Sequence, residues 1–151
     1  MEWTTYFISI ARVVALKSKD PSTKIGAVIV GPKDEIRTTG YNGFPRFIAD
    51  DEERWADKDV KYGFVEHAER NAIYNAARCG IKTEECAIYM TAPPCRECAR
   101  AIIQAGIREV YYPENHPFRE REDWAESLAF AKNLLFEAGI YFREVRDEEL
   151  L

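Results

Sequence analysis

Two short stretches, His67-Ala68-Glu69 and Pro94-Cys95-Arg96-Glu97-Cys98, restrict this chain more than anything else in it. One His and two Cys make a three-ligand zinc site and leave the fourth tetrahedral position open for water. Structural zinc sites close with four protein ligands, whereas catalytic ones keep a position free. Glu69, two residues beyond His67, is then placed to carry protons to and from that water. Cys95 and Cys98 are three apart and share a helix face. A thiolate at a helix N-terminus is stabilised by the unpaired N–H groups and the dipole there. Residues two apart point to different sides of a regular helix, so His67 and Glu69 serve one metal only if it lies at the helix end. Either motif alone is weak, because C-x-x-C also marks redox dithiols and zinc knuckles. A redox dithiol, however, does not call for His-x-Glu at a second helix start. The pair in this order points to a catalytic zinc, with a closed structural zinc or a dithiol as the competing readings.

The length of 151 residues suits one domain over 1–151, with an acidic tail at 146–151 expected to fray. A net charge of -5 offers no basic footprint, which argues against nucleic acid as a partner. No secretory signal pattern and no apolar run of membrane-spanning length are present. The expectation is a cytoplasmic protein (host cytoplasm if the source is viral) with no membrane partner. Four cysteines with one C-x-x-C pair fit metal binding in a reducing compartment. Cys79 and Cys86 read as small buried hydrophobes.

In chain order, apolar steps of three and four predict a helix over 2–17. A hairpin follows, its first strand from Lys24 to Gly31 apolar enough to be buried on both faces and its second from Glu35 to Tyr41. From Asn42 to Val65 no period emerges. This long loop is either a lid over a small anionic ligand, using Arg46, Arg54 and Lys61, or a solvated excursion with Trp55 and Phe64 set against the core. Helices are predicted from His67 to Cys79, from Cys95 to Ala105 and from Asp123, where Asp123 and Glu126 resemble a capping box. Strands are predicted at Ala87–Thr91, Glu109–Tyr112 and Ile140–Val145. The alternation implies a layered α/β domain whose later strands run parallel.

Longer stretches carry a family resemblance. They are Ser18-Lys19-Asp20-Pro21-Ser22-Thr23-Lys24-Ile25-Gly26-Ala27-Val28, Thr39-Gly40-Tyr41-Asn42-Gly43-Phe44-Pro45-Arg46, His67-Ala68-Glu69-Arg70-Asn71-Ala72-Ile73, Thr91 to Ala99, and Ile102-Ile103-Gln104-Ala105-Gly106-Ile107. In order and content they resemble the deoxycytidylate (dCMP) deaminase family of the cytidine deaminase-like superfamily. The resemblance implies a three-layer α/β/α fold with a five-stranded mixed sheet. It also implies zinc-dependent conversion of dCMP and water to dUMP and ammonia, supplying thymidylate synthesis. By match, His67, Cys95 and Cys98 would bind Zn2+ and Glu69 would shuttle protons. Asn42 would hydrogen-bond the sugar, and the Ala68 backbone N–H would meet the pyrimidine carbonyl. For the phosphate, the candidates are His116, in a loop that contributes in relatives, and Lys24, Arg46 and Lys61; the bland reading of His116 is a surface loop residue.

The resemblance also implies a homo-oligomer, a hexamer or a dimer, with nucleoside triphosphate effectors. Many relatives carry Gly directly after the residue aligned with Arg46, where this chain has Phe47. Some hold a second, structural zinc, which two His and no Cys before Cys79 do not provide here. Two other readings compete. One is a deaminase of another cytosine nucleotide, such as CMP, dCTP or a 5-modified dCMP. The other is a catalytically silent zinc-containing module that binds nucleotides or nucleic acid.

Overall fold

A computed structural model describes residues 1–151. Five strands form one sheet: β1 (Gly26–Val30), β2 (Ile36–Tyr41), β3 (Ala87–Met90), β4 (Glu109–Pro113) and β5 (Tyr141–Val145), in the spatial order β2-β1-β3-β4-β5. β1 pairs antiparallel with both β2 and β3, while β3, β4 and β5 run parallel. The helices are α1 (Trp3–Ala15), α2 (Glu52–Ala56), α3 (Lys58–Phe64), α4 (Ala68–Cys79), α5 (Arg96–Gln104) and α6 (Glu122–Glu137). α5 and α6 are the crossovers that parallel pairing requires.

The continuous apolar run of β1 is buried along its whole length, because both faces of the sheet are covered. On one face, Phe7, Ile8 and Ala11 of α1 pack on Val28, Val30 and Tyr89. On the other, Ala68 and Ala72 of α4, Ala99 and Ile102 of α5, and Ala131 and Leu135 of α6 pack on Ala27, Ile29, Ile88 and Val110. The three layers agree with the α/β/α expectation.

The stretch from Asn42 to Val65, read from sequence as a loop, holds α2 and α3. Only Trp55 of the two helices is buried, so no apolar period marks them. Their signal is a cap: the Asp57 carboxylate accepts from the N–H groups of Asp59 and Val60. Three other expectations are corrected. α6 begins at Glu122 with no side-chain cap, because Arg121 occupies the Asp123 carboxylate at 2.6 and 3.1 Å. The tail is docked: Asp147–Glu149 form a 3-10 turn, Thr5 Oγ1 donates to the Glu149 carbonyl at 2.6 Å, and Arg143 pairs with the Glu149 carboxylate. Cys86 is buried as expected, but Cys79 ends α4 on its outer side and is exposed.

One glycine fixes how closely α4 lies on the sheet. A Cβ at Gly40 would sit 2.3 Å from the Ala72 nitrogen and 2.4 Å from the Ala68 carbonyl oxygen. Both are backbone atoms and cannot swing aside. Gly40→Ala is therefore expected to cost roughly 1–3 kcal/mol of stability. In a chain of this size that lowers the melting temperature by about 2–12 °C. A thermal melt checks it, and an unchanged midpoint would contradict so tight a contact.

Candidate active site

The site forms where α4 and α5 begin. His67 is the N-cap of α4, with extended backbone (φ -78°, ψ 152°), and Cys95 is the N-cap of α5 (φ -74°, ψ 174°). The non-helical setting of His67 removes the conflict that a two-residue spacing would create within a helix. Arg70 on α4 donates to the Glu97 carboxylate on α5 at 2.8 Å and ties the two helix starts together.

His67 Nδ1 lies 3.4 Å from Cys95 Sγ and 3.3 Å from Cys98 Sγ, and all three ligand atoms fall within 4.8 Å of one another. Ordinary Zn–N and Zn–S bond lengths in a tetrahedron put N and S about 3.6 Å apart. The donor set and its spacing therefore fit a zinc ion with one position left over. A hydrogen bond from the Cys98 thiol, strengthened by His67, holds Cys95 as a thiolate with its pKa lowered to about 4. That same bond, together with burial, pushes the Cys98 thiol well up. Glu69 is 4% exposed, and burial raises its carboxyl above the usual carboxylate range, against the pull of His67 and a hydrogen bond with Cys98. A carboxyl so placed exchanges protons closer to neutrality.

A pocket of roughly 510 Å³ opens over this cluster. Ala68 and Asn42 line it. As the first residue of α4, Ala68 has an N–H with no intrahelical acceptor. One wall is aromatic: Phe118 and Trp124 stack at 4.4 Å, and the Trp124 ring centre lies 6.1 Å from that of His67. Trp55, also in the lining, stacks on Phe44 at 4.0 Å. Its indole N–H is buried without a protein acceptor, which leaves a ligand or water to satisfy it.

The pocket also draws cations from α3 and from the start of α6. Lys58 and Arg121 share the single carboxylate of Asp123, at 3.8 Å and 2.6 Å, so two cations of the lining have one carboxylate between them. Lys61 lines the pocket too, but its ammonium is paired with buried Asp20 at 2.7 Å.

Of the candidate phosphate contacts, the structure brings only Lys61 into this lining. Lys24 is exposed outside it, because its neighbour Ile25 takes the pocket side. Arg46 is also outside, donating to Asn75 Oδ1 at 2.9 Å. His116 lines a neighbouring cavity of about 270 Å³. There its Nδ1 accepts from the Phe118 N–H at 3.2 Å, and burial lowers its pKa. Lys58, Arg121, Phe118 and Trp124 went unread as site residues. Nothing local marks Lys58, nine residues before His67, or Phe118, Arg121 and Trp124, 20 to 26 residues after Cys98, as facing the zinc ligands. Phe47 is fully exposed and keeps a left-handed backbone (φ 70°), the conformation glycine favours.

Comparison with known proteins agrees with this geometry. The family model described as "Cytidine and deoxycytidylate deaminase zinc-binding region" matches residues 1–114. The deoxycytidylate deaminase of Homo sapiens is 40% identical over 149 residues, which cover 95% of this chain and 80% of that protein. The deoxycytidylate deaminase of Pongo abelii is 39% identical over 150 residues, with the same coverage. Among solved structures, the dCMP deaminase of the cyanophage S-TIM5 in apo form superposes with a TM-score of 0.75 at 23% identity, covering 94% of this chain and 96% of that one.

Proposed function

The chain belongs to the cytidine and deoxycytidylate deaminase family, and from that premise we propose that it is a zinc-dependent hydrolase converting dCMP and water to dUMP and ammonia. The observation that carries the reading is the convergence of His67, Cys95 and Cys98 beside buried Glu69, against a pocket that Lys58 and Arg121 also line. Relatives that match across most of the chain bear the name deoxycytidylate deaminase.

On this reading His67, Cys95 and Cys98 hold the zinc, which supplies Lewis-acid activation of a water near neutral pH. Glu69 takes a proton from the attacking water and delivers it to the pyrimidine ring nitrogen. It then passes a proton to the amine leaving C4. The free N–H of Ala68 is available to the pyrimidine carbonyl, and Phe118 and Trp124 flank the base. Lys58 and Arg121 take the 5′-phosphate in place of Lys24, Arg46 and His116. Arg121 is suited to this because a guanidinium presents a planar fork to phosphate oxygens. The reading includes a homo-oligomer, for which exposed Trp3 and Val13 on α1 and Leu16 at its end offer apolar surface. Triphosphate effectors belong to the same reading and are tested by adding dCTP and dTTP to the assay.

The test is ammonia release by the zinc-loaded protein from dCMP, CMP, dCTP and deoxycytidine. dCMP is expected to exceed deoxycytidine in kcat/KM by at least about a hundredfold, since two charge-assisted contacts are lost without the phosphate. Arg121→Gln should remove about tenfold or more of that advantage and leave deoxycytidine unaffected. Preferred turnover of another nucleotide would keep the chemistry and overturn the substrate. No turnover of any, with zinc bound, would overturn both.

A further inference from the structure

Asp20 sits in the turn between α1 and β1 and is 3% exposed, an unusual place for a carboxylate. It is well supplied with donors. The Ser22 N–H reaches it at 2.9 Å, the Thr23 N–H at 3.2 Å, the Ser22 hydroxyl at 3.0 Å and the Lys61 ammonium at 2.7 Å. Burial alone would raise its pKa, but the hydrogen bonds from Lys61, Ser22 and Thr23 outweigh that and hold it ionised.

The remaining donor is the side chain of Asn42, which lines the pocket directly after β2. Asn42 Nδ2 donates to Asp20 Oδ2 at 3.3 Å and to the Thr23 carbonyl at 2.9 Å, while Oδ1 accepts from the Ile25 N–H at 2.8 Å. The Ile25 N–H can face only an oxygen, so the amide orientation is fixed. Both amide hydrogens are used inside the protein. The backbone is used as well: its N–H donates to the Ile25 carbonyl at 3.3 Å, and its carbonyl accepts from the Ser18 hydroxyl at 2.8 Å. What Asn42 retains for a ligand is one lone pair on Oδ1. This stretch of wall can accept a hydrogen bond from a ligand but cannot donate one.

A 2′-deoxynucleoside 5′-monophosphate has a single sugar hydroxyl, at C3′, and a hydroxyl can donate. We propose that Asp20 is a positioning residue: it holds the Asn42 amide so that Oδ1 is presented to the 3′-hydroxyl of the substrate, and Lys61 joins that setting to α3. The inference rests on the dCMP reading above. Asparagine at position 20 would keep the shape, but it would turn an N–H donor toward Asn42 or Lys61, and the Asn42 amide would lose its charged acceptor and be held by the Ile25 N–H and the Thr23 carbonyl alone.

The experiment compares kcat and KM for dCMP and 2′,3′-dideoxycytidine monophosphate in the zinc-loaded wild type, Asp20→Asn, Lys61→Met, and the double variant Asp20→Asn/Lys61→Met. Wild type is expected to prefer dCMP by about tenfold, the size of one neutral hydrogen bond. Both variants carrying Asp20→Asn should fall below about threefold, with the loss in KM. Lys61→Met should keep the wild-type preference, because Asp20 still faces Asn42. If Asp20→Asn lowers both substrates equally, Asp20 is merely structural and the inference is overturned. If the single variant does not fold, the double variant, which strands no buried ammonium, carries the test; its failure to fold also assigns Asp20 to folding. Wild type turning over both substrates without preference would overturn this inference alone. Turnover of neither would overturn the dCMP reading with it.

Discussion

Glutamine in place of Glu69 is expected to lower kcat for dCMP by at least about a thousandfold, because general acid–base groups supply roughly 10²–10⁴ and this one is asked to move protons more than once. The substitution keeps the volume of a side chain that is 4% exposed, so packing around it changes little. Glutamine can neither take a proton from water nor return one to the ring. Glu69 is not among the three ligand atoms that converge, so zinc content should stay at wild-type level. KM should move less than kcat, since the loss falls on steps after binding. Steady-state kinetics beside metal analysis checks this. A variant with zinc bound and activity within about tenfold of wild type would remove Glu69 from the chemistry.

The second large effect follows from the ligands. Cys98 is fully buried, with its sulfur 3.3 Å from His67 Nδ1. Cys98→Ala deletes one of three donors, and two donors do not hold zinc against dilution. Turnover should fall to background. Stability should fall as well, because a ligand that binds only the folded state stabilises it. At a free concentration of about 1,000 times Kd that contribution is about 4 kcal/mol. The corresponding drop in melting temperature is about 8–16 °C for a chain of this size. Stripping the wild-type protein with a chelator should reproduce most of that drop, and added zinc should restore the wild type but not the variant. A Cys98→Ala protein that retains one zinc per chain would contradict this ligand set.

The layered fold was legible because its signals are local and strong. The apolar run at Ala27–Val30 demanded a strand buried on both faces, and α1, α4 and α5 showed helical periods with plain stops. The zinc cluster was legible because its donors lie in two compact motifs whose residue types have few other uses together. The rest of the pocket was not, for a different reason in each case. α2 and α3 bury only Trp55 between them, so hydrophobic period, the main sequence signal for a helix, was missing. Arg121 and Lys58 converge only through the fold and share Asp123, the residue the sequence reading assigned to a cap. The tail reads as a run of solvated charge, yet Arg143, Glu114 and Thr5 give it partners 6, 33 and 144 residues away. Asp20 lies within a recognisable segment, but its contacts with Asn42 and Lys61 span 22 and 41 residues and could not be read from spacing.

The central claim is hydrolysis of the C4 amine of dCMP at the zinc site, and oxygen transfer tests it most directly. Zinc-loaded protein incubated with dCMP in 18O-enriched water should release one ammonia per dUMP, and the dUMP should be heavier by one solvent oxygen at C4. Label at C4 that requires both zinc and Glu69 is the predicted result. No dUMP from the zinc-loaded protein, or dUMP formed without solvent oxygen at C4, would contradict the account.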